Sequence, residues 1–308
     1  MSINIKEHVP LAPATTFEIG GTARYLVDVR SESEIKEALE WAREKKVASS
    51  ILSGGSNVLV PDGGMEALVV RLVGNLWSVS GAEVNAWAGS NLLLLIRAMA
   101  AQSLGWWEKL AGIPGTIGGA VRGNAGAFGP EIKDFVISVR ALNSKDGTVR
   151  ECANAECDFS YRHSFFKDHP EWIITRIMLK LLAVSPEESA RLIEETIAER
   201  EKRHLQNVRA AGSFFMNPVV PREIQALFEK EKGMKSREGR VPAGWLIEKA
   251  GMKGAKVGGA EASRQHPNYL VNTGGATATD VLELAQKVRD AVRAKFGVEL
   301  QEEAVVLE

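Results

Sequence analysis

A glycine-rich stretch near the middle of the chain, from Leu110 to Gly129, places the strongest constraint on what this sequence can fold into. It reads LAGIPGTIGGAVRGNAGAFG and carries seven glycines. Glycine tolerates positive φ and lets a backbone approach a ligand closely, but it loses more conformational entropy on folding than any other residue. The stretch therefore indicates either a run of tight turns or a backbone surface that lies against a bulky ligand.

A second glycine loop, Ser53-Gly54-Gly55-Ser56-Asn57, favours the ligand interpretation. It lies between the apolar segments 48–52 and 58–60, so the pattern predicts a strand, a sharp turn and a second strand. Successive backbone N–H groups in such a turn form a concave anion site, to which the side chains of Ser56 and Asn57 can add donors. The loop is a candidate site for a diphosphate.

Neither glycine loop fits the common nucleotide-binding motifs. The sequence has no G-x-x-x-x-G-K-[ST] segment, and no G-x-G-x-x-G segment lies between a predicted strand and a predicted helix. The two loops together therefore predict a cofactor held between two lobes of a different fold.

The overall charge excludes several classes of partner. Lys and Arg number 38, and Asp and Glu number 39, for a formal net charge of -1. This balance argues against a nucleic-acid-binding surface and against binding to an anionic membrane. The most apolar run, residues 91–101, is interrupted by Arg97 and is too short to span a bilayer. We expect no nucleic-acid partner and no membrane insertion.

The first residues and the cysteine content predict a cytoplasmic protein. The segment MSINIKEHVPLAP lacks a basic region followed by an apolar core, so we expect no signal peptide. Cys152 and Cys157 are too few for a disulfide framework and are expected to be free thiols. Neither they nor His163 and His169 show the spacing of a four-ligand metal site, so we predict no metal.

The succession of predicted elements divides the chain into three parts of mixed helix and strand. Residues 1–65 form a first lobe, which carries the Ser53 turn, and residues 66–185 form a second lobe around the central glycine stretch. Residues 190–308 form a C-terminal domain. The predicted fold class is α+β.

Capping and breaker residues predict several element boundaries. Ser31 and Glu34 have capping-box spacing ahead of an amphipathic helix, and Ser185-Pro186 begins another. A helix is predicted from Asn91, and one at about 280–296 is expected to end before Gly297. Residues 298–307 are predicted to form a closing strand.

Eight segments in a fixed order, spread over nearly the whole chain, resemble the UDP-N-acetylenolpyruvoylglucosamine reductase family, MurB. The segments are TTFEIGGTA, SGGSNVLV, AGIPGTIGGAVRGNAGAFG, YRHSFFK, AGSFFMNP, AGWLIEKAGMKG, ASRQHPNYLVN and FGVELQEE. Family members divide by an extra tyrosine-bearing loop. Because no tyrosine lies between Arg162 and Ser213, the chain resembles the shorter type that lacks this loop.

The resemblance implies a two-lobed FAD-binding fold of the vanillyl-alcohol-oxidase (PCMH) type, followed by an α+β domain that binds a UDP-sugar. No histidine lies beside the Ser53 turn or within the central stretch, so we expect non-covalent FAD. The implied cofactor-binding residues are Gly54, Gly55, Ser56, Asn57, Gly112, Ile113, Pro114, Gly115, Thr116, Gly118, Gly119, Asn124 and Ala125.

The resemblance also implies a reaction. NADPH donates a hydride to the flavin, and the enolpyruvyl group of UDP-N-acetylglucosamine enolpyruvate is then reduced to give UDP-N-acetylmuramate for peptidoglycan synthesis. The associated processes are cell wall biogenesis, cell shape, cell division and the cell cycle. The expected partner is this small-molecule substrate, and we expect a monomer.

Three residues match the family's catalytic positions. Arg162 corresponds to the arginine that contacts the substrate carboxylate. Arginine suits this role because it stays protonated and can donate two parallel hydrogen bonds to a carboxylate. Ser213 corresponds to the proton donor, and Glu303 to the C-terminal glutamate. Alignment from Gly297 selects Glu303, and strand alternation makes Glu299 the fallback.

The resemblance leaves one departure in the implied substrate site. The family usually has lysine where Met216 stands, so one cationic contact is missing or supplied elsewhere. The implied substrate-binding residues are Tyr161, Asn217, Lys253, Arg264 and His266.

Two other functions are compatible with parts of this pattern. A flavin oxidase of the same cofactor fold would act on a sugar or alcohol and would not need the motifs of the third part. An inactive module that binds flavin or a UDP-sugar would explain Met216, but it would not explain the complete set of three catalytic residues.

Overall fold

The computed structural model describes residues 3–203 and 208–307, which form two compact units. Unit 1 comprises the described residues up to 9 together with 23–55 and 65–202. Unit 2 comprises 10–22, 56–64 and the described residues from 203 onward.

The strands are β1 (Ile5–Pro10), β2 (Thr22–Val29), β3 (Ala48–Leu52), β4 (Val58–Leu59), β5 (Met65–Leu72), β6 (Trp77–Ser80), β7 (Glu83–Trp87), β8 (Leu104–Gly105), β9 (Val136–Asn143), β10 (Val149–Ala153), β11 (Trp172–Lys180), β12 (Leu182–Ala183), β13 (Lys256–Val257), β14 (Ala260–Ala262), β15 (Leu270–Asn272) and β16 (Val305–Val306). The helices are α1 (Glu32–Lys45), α2 (Leu92–Ala100), α3 (Ile117–Arg122), α4 (Phe165–Asp168), α5 (Pro186–Lys202), α6 (Arg222–Lys232), α7 (Ala243–Lys249) and α8 (Ala278–Phe296).

Unit 1 contains two sheets. A four-stranded sheet has the order β1-β2-β5-β3, and β5 pairs in parallel with both β2 and β3. A five-stranded sheet has the order β10-β9-β11-β7-β6, with antiparallel pairing at every step. Helix α1 is attached by Glu32, which accepts from Arg140 Nε at 2.7 Å and from Thr175 Oγ1 at 2.6 Å. Both sheets and their helices share one apolar core.

Burial and hydrogen bonding act in opposite directions on the Glu32 carboxyl. Burial raises its pKa, but the hydrogen bonds from Arg140 and Thr175 outweigh that effect and hold the pKa below its ordinary value. The carboxylate therefore stays charged and stabilises the attachment of α1 to β9 and β11.

Unit 2 is built around α8 and the antiparallel sheet β13-β14-β15. Its core includes Phe17 and Leu59 as well as the apolar faces of α7 and α8. Asp62 accepts hydrogen bonds from the backbone N–H of Ala278 at 2.6 Å and of Thr279 at 3.0 Å, at the start of α8. Segments far apart in the chain are thus joined in one unit.

The structure confirms the helices predicted from capping residues. Ser31 accepts from the backbone N–H of Glu34 at the start of α1, and Ser185 does the same for Glu188 ahead of α5. Helix α8 ends at Gly297, which has φ 65°. The mixture of helices and sheets is consistent with the predicted α+β class.

The prediction of a closing strand over 298–307 is wrong in its extent. The strand there is limited to β16, which pairs in parallel with β4. The preceding residues form an isolated bridge between Phe215 and Glu302 instead of a continuous ladder. The two units are not sequential, because 10–22 and 56–64 belong to unit 2, and the three sequential domains stay a prediction.

Among the described residues, no helix combines the length and apolar character needed to cross a membrane.

Candidate active site

The two predicted glycine loops come together within unit 1. A Cβ atom on Gly54 would lie only 2.5 Å from the Cα atom of Gly115. The hydroxyl oxygens of Ser53 and Thr116 are 2.5 Å apart, at hydrogen-bond distance. Gly115 has φ 108°, a conformation that other residues rarely adopt. The absence of a side chain at Gly54 is therefore what permits this close approach.

Helix α3 continues from the second loop, and its first N–H groups bond inside the protein. The N–H of Gly118 donates to Ala88 O at 2.9 Å, and that of Gly119 donates to Thr116 Oγ1 at 3.3 Å. A Cβ on Gly118 would lie 2.7 Å from Ala88 Cβ, whereas one on Gly119 would contact, among the described residues outside its own helix, Thr116 Oγ1 alone, at 3.6 Å. Glycine is required at 118 because a side chain there would collide with Ala88. Glycine at 119 leaves free the space that a side chain would occupy beside the backbone of α3.

Asn124 organises the end of the glycine stretch. Its side chain is fully buried, and its backbone has φ 42°. The carboxamide donates to Glu131 Oε2 at 2.9 Å and to Ser160 O at 2.8 Å, and it accepts from Lys133 N at 3.3 Å. Because these contacts occupy the side chain, the predicted cofactor role of Asn124 is limited to its backbone.

Arg162 lies at the tip of a tight turn in unit 1. Ser160 and His163 exchange two backbone hydrogen bonds of 3.2 Å, and Arg162 between them has φ 57°. Its Nη2 donates to Gly126 O at 3.0 Å, and its guanidinium lies 5.1 Å from the centre of the Tyr161 ring. A positive φ at a non-glycine residue stores backbone strain, a feature that is common in functional sites. The tight turn and the bond to Gly126 O thus position Arg162.

Ser213 lies in unit 2, immediately before two buried phenylalanines. Phe214 and Phe215 form an edge-to-face pair with ring centroids 5.2 Å apart, and both belong to the core of this unit. Ser213 itself is half-buried. Its other neighbour, Gly212, has φ 74° and open space where a Cβ would be. Ser213 therefore follows a glycine in open space, although Ala211 before that glycine is buried.

The segment of Glu303 pairs with the segment of Ser213. The backbone N–H of Glu303 donates to Phe214 O at 2.8 Å, and the N–H of Met216 donates to Gln301 O at 2.9 Å. Glu303 is half-buried at this position. The structure thus brings two of the three predicted catalytic residues to one place in unit 2, whereas Arg162 belongs to unit 1.

The neighbouring glutamates have other partners. Glu302 accepts from Arg289 Nη1 at 2.7 Å, and Glu299 is exposed and lies 3.8 Å from Arg293 Nη1. The choice of Glu303 over the fallback, Glu299, stays a prediction.

Asn57 contacts the Glu303 segment directly. Its Nδ2 donates to Glu303 O at 3.0 Å, and its carbonyl accepts from Val305 N at 3.0 Å. The predicted diphosphate loop is divided between the units, since Gly54 and Gly55 belong to unit 1 and Ser56 and Asn57 to unit 2. The side chain of Asn57 therefore has a second role, as a contact of the glutamate backbone.

The predicted substrate residues in unit 2 differ in their surroundings. Asn217 Oδ1 accepts from Ala243 N at 2.9 Å and caps α7. Lys253 pairs with Glu248 at 2.8 Å. These contacts give both residues a structural role in unit 2.

Arg264 and His266 complete the predicted substrate set. The Arg264 side chain pairs with Glu261 at 3.2 Å and remains 71% exposed. His266 has a buried Nδ1 atom for which no described residue provides a hydrogen bond, and burial lowers its pKa. His266 is the member of the set whose polar atom most needs a ligand.

Sequence reasoning missed two residues that organise this region. Asn268 hydrogen-bonds the backbone after Ser213, and Asp62 holds the start of α8. The only available signal for Asn268 was its place in the segment ASRQHPNYLVN. Nothing in the sequence near Asp62 pointed to a helix that begins at residue 278.

The cysteines do not belong to a metal site. Cys152 and Cys157 are buried free thiols, and burial raises the pKa of Cys157 to about 12. In the part of the chain that the structure describes, no group of three His, Cys, Asp or Glu side chains could hold a metal ion.

Two family models match the chain. Residues 23–153 match an FAD binding domain, and residues 203–307 match the C-terminal domain of UDP-N-acetylenolpyruvoylglucosamine reductase. The second match lies within unit 2 and contains both Ser213 and Glu303.

Curated relatives named UDP-N-acetylenolpyruvoylglucosamine reductase match over nearly the full length. The Solibacter usitatus protein is 35% identical over 98% of this chain and 96% of its own. The Pseudomonas aeruginosa protein is 37% identical over 98% of this chain and 99% of its own. The crystal structure of UDP-N-acetylenolpyruvylglucosamine reductase from Thermus caldophilus has a TM-score of 0.79 and 32% identity, with 99% of this chain and 100% of that chain covered.

Proposed function

Since the chain belongs to the UDP-N-acetylenolpyruvoylglucosamine reductase family, we propose that Arg162, Ser213 and Glu303 are its catalytic residues. The fold is α+β, an FAD-binding fold of the vanillyl-alcohol-oxidase (PCMH) type with a C-terminal substrate domain. The enzyme reduces the enolpyruvyl group of UDP-N-acetylglucosamine enolpyruvate to give UDP-N-acetylmuramate for peptidoglycan synthesis.

FAD is the cofactor and NADPH the hydride donor. Bound FAD supplies hydride transfer from NADPH to the enolpyruvyl double bond. The residues present fit this cofactor at Gly119, where a Cβ would meet Thr116 Oγ1 no closer than 3.6 Å and a ligand could approach the backbone. We assign non-covalent FAD to the loop from Gly54 to Asn57 and to residues Gly112–Thr116, Gly118, Gly119, Asn124 and Ala125.

Arg162 is assigned to the enolpyruvyl carboxylate. Hydride addition to one carbon of the double bond leaves negative charge on the neighbouring carbon and on this carboxylate. A guanidinium stays protonated at neutral pH and can grip a carboxylate through two parallel donors. The tight turn at 160–163 and the bond to Gly126 O hold the guanidinium in place before substrate arrives, which lowers the cost of reorganisation.

Ser213 is assigned as the proton donor to the carbon that bears the charge. A hydroxyl is a weak acid toward water, but a developing carbanion can take its proton when geometry is fixed and bulk water is excluded. Glu303 contributes a carboxyl group to the same site. The observation that carries the proposal is the hydrogen bond from Glu303 N–H to Phe214 O, which joins these two segments.

Further parts of the proposal concern the substrate and the state of the protein. We assign the UDP-sugar to Tyr161, Asn217, Lys253, Arg264 and His266. We also propose that the protein acts as a monomer in the cytoplasm.

Separate measurement of the two half-reactions tests the catalytic assignment. Ser213→Ala is expected to leave the reduction of bound flavin by NADPH within about twofold of wild type. Reoxidation of that flavin by UDP-N-acetylglucosamine enolpyruvate is expected to slow by about 10²- to 10⁴-fold, the range for loss of a general acid. Stopped-flow absorbance of the flavin reports both steps, and equal losses in both would contradict the assignment.

A further inference from the structure

We propose that Asn268 is a positioning residue for Ser213, acting through the backbone of Phe214 and Phe215. The inference rests on the role of Ser213 proposed above. Asn268 is almost completely buried, with 2% of its surface exposed, and it lies in the segment that leads into β15. A buried carboxamide must find partners for both its oxygen and its NH₂ group.

Both polar groups of the Asn268 side chain bond to one residue, Phe215. Its Oδ1 accepts from the Phe215 N–H at 3.0 Å, and its Nδ2 donates to Phe215 O at 2.8 Å. The backbone carbonyl of Asn268 also accepts from the Phe214 N–H at 2.7 Å. Three hydrogen bonds to one residue therefore fix the three successive peptide groups that follow Ser213.

The Glu303 segment holds the other edge of the same two residues. Phe214 O accepts from Glu303 N, and Met216 N donates to Gln301 O. Residues 214–216 thus lie between Asn268 on one edge and residues 301–303 on the other. With both edges bonded, the backbone position from which Ser213 extends is set, and so is its alignment with Glu303.

The chain before Ser213 is held up to Ala211, which is buried in the core of unit 2, but Gly212 follows it. Gly212 has positive φ, and a side chain there would meet none of the described residues within 4 Å. A glycine in open space leaves many backbone conformations accessible. The direction of the serine hydroxyl therefore depends on the bonds made after it, and three of those belong to Asn268.

A second buried asparagine in the same part of the chain provides the matched control. Asn272, at the end of β15, is 8% exposed and donates through Nδ2 to Phe17 O at 3.2 Å. Its Oδ1 accepts from the backbone N–H groups of Gly274 and Ala276. Its side chain therefore bonds elsewhere in unit 2 and has no hydrogen bond to the described residues 213–215.

Asn268→Asp is the informative variant because it preserves shape and removes one donor. Oδ1 can still accept from the Phe215 N–H, but the second oxygen of an ionised carboxyl faces Phe215 O and cannot donate to it. When that carboxyl takes up a proton, the donor is restored. Because burial favours the neutral form, recovery is expected as the pH is lowered.

The experiment measures both half-reactions of the flavin-loaded wild type, Asn268→Asp and Asn272→Asp between pH 5.5 and 8.5. In Asn268→Asp, flavin reduction by NADPH is expected within about twofold of wild type. Reoxidation by UDP-N-acetylglucosamine enolpyruvate is expected to be about 100-fold slower at pH 8, the size of loss that a 1 Å misplacement produces, and to recover as the pH falls. The titratable residues near this segment include His266, Tyr269, Glu302 and Glu303; all are present in the wild type and the control, so their own titration is subtracted.

Three results would overturn the inference: reoxidation in Asn268→Asp equal to wild type throughout, equal slowing of both half-reactions, or the same pH profile in Asn272→Asp. If Asn268→Asp does not retain flavin, Asn268→Ser replaces it, with slow reoxidation and no recovery at low pH as the expected result. Failure of the proposed function has a different outcome, since the wild type itself would then not be reoxidised by the enolpyruvyl substrate.

Discussion

The turn that carries Arg162 and the paired segments that carry Ser213 and Glu303 are positioned in different ways. The Arg162 turn is closed by its own neighbours, Ser160 and His163, and it tolerates a positive φ at a charged residue. Ser213 and Glu303 instead depend on segments that begin near residues 57, 213, 268 and 301. One distant bond, to Gly126 O, completes the support of the Arg162 turn, whereas a proton donor needs bonds on several sides to fix its direction.

Among the predictions that follow from this comparison, substitution of Arg162 is expected to have the largest effect on the rate of flavin reoxidation. Arg162→Ala removes the guanidinium from the enolpyruvyl carboxylate and should slow flavin reoxidation by about 10²- to 10³-fold, the loss typical of one charge-stabilising group. Arg162→Lys should recover only part of the rate, because an ammonium cannot donate to Gly126 O and grip a carboxylate with the same geometry. Stopped-flow reoxidation with enolpyruvyl substrate measures both variants.

Flavin reduction by NADPH is the control for the Arg162 variants. It should remain near the wild-type rate, since the assigned target of the guanidinium is the enolpyruvyl substrate. Full activity in Arg162→Lys would show that a single positive charge is enough to bind the carboxylate. The positive φ at residue 162 could then not be explained by the need to position a guanidinium.

Asn57→Ala tests whether the side chain of Asn57, the last residue of the predicted diphosphate loop, holds the backbone of Glu303 in place. Loss of the hydrogen bond from Asn57 Nδ2 to Glu303 O should slow reoxidation by about tenfold, a cost near that of one buried hydrogen bond. Flavin content after gel filtration separates this effect from loss of the cofactor contact that we assign to the same loop. A variant that loses flavin but reoxidises normally when FAD is supplied would assign the side chain to the cofactor instead.

The smallest expected effect concerns the stability of unit 2. Burial raises the pKa of Asp62, but hydrogen bonds from the backbone N–H groups of Thr279 and Ala278 outweigh it, so the pKa lies below its ordinary value. The carboxylate therefore stabilises the fold above about pH 4, and this stabilisation is lost as the pH falls through the lowered pKa. Because the site is exposed, Asp62→Asn should lower the free energy of unfolding by only about 0.5 to 1 kcal/mol at pH 7.

Urea unfolding at pH 7 and at pH 3.5 measures this difference, which should shrink at the lower pH. Asp290→Asn is the matched control, since Asp290 lies on the same helix and pairs with Arg293 on the surface. Equal losses in the two variants at pH 7 would show that Asp62 acts only as a surface charge.

Local sequence signals correctly predicted several helix boundaries. Ser31, Ser185 and Gly297 mark helix ends because capping depends on residues within one turn of the helix. The prediction for 298–307 failed because strand extent depends on partners, and here β4 pairs over two residues while Phe215 makes one isolated bridge with Glu302. Asn268 was missed because its partners lie 53 positions away.

The sequence by itself determined the family, the cofactor class, the main helices and the glycines that let Gly54 approach Gly115. These follow from short segments whose chemistry needs few neighbours. Only the tertiary structure decided that segments 10–22 and 56–64 belong to unit 2, and that Asn57 and Asn268 hold the segments of Glu303 and Ser213. The physical reason is that a buried carboxamide can bond to any backbone group brought within about 3 Å, and folding alone decides which group that is.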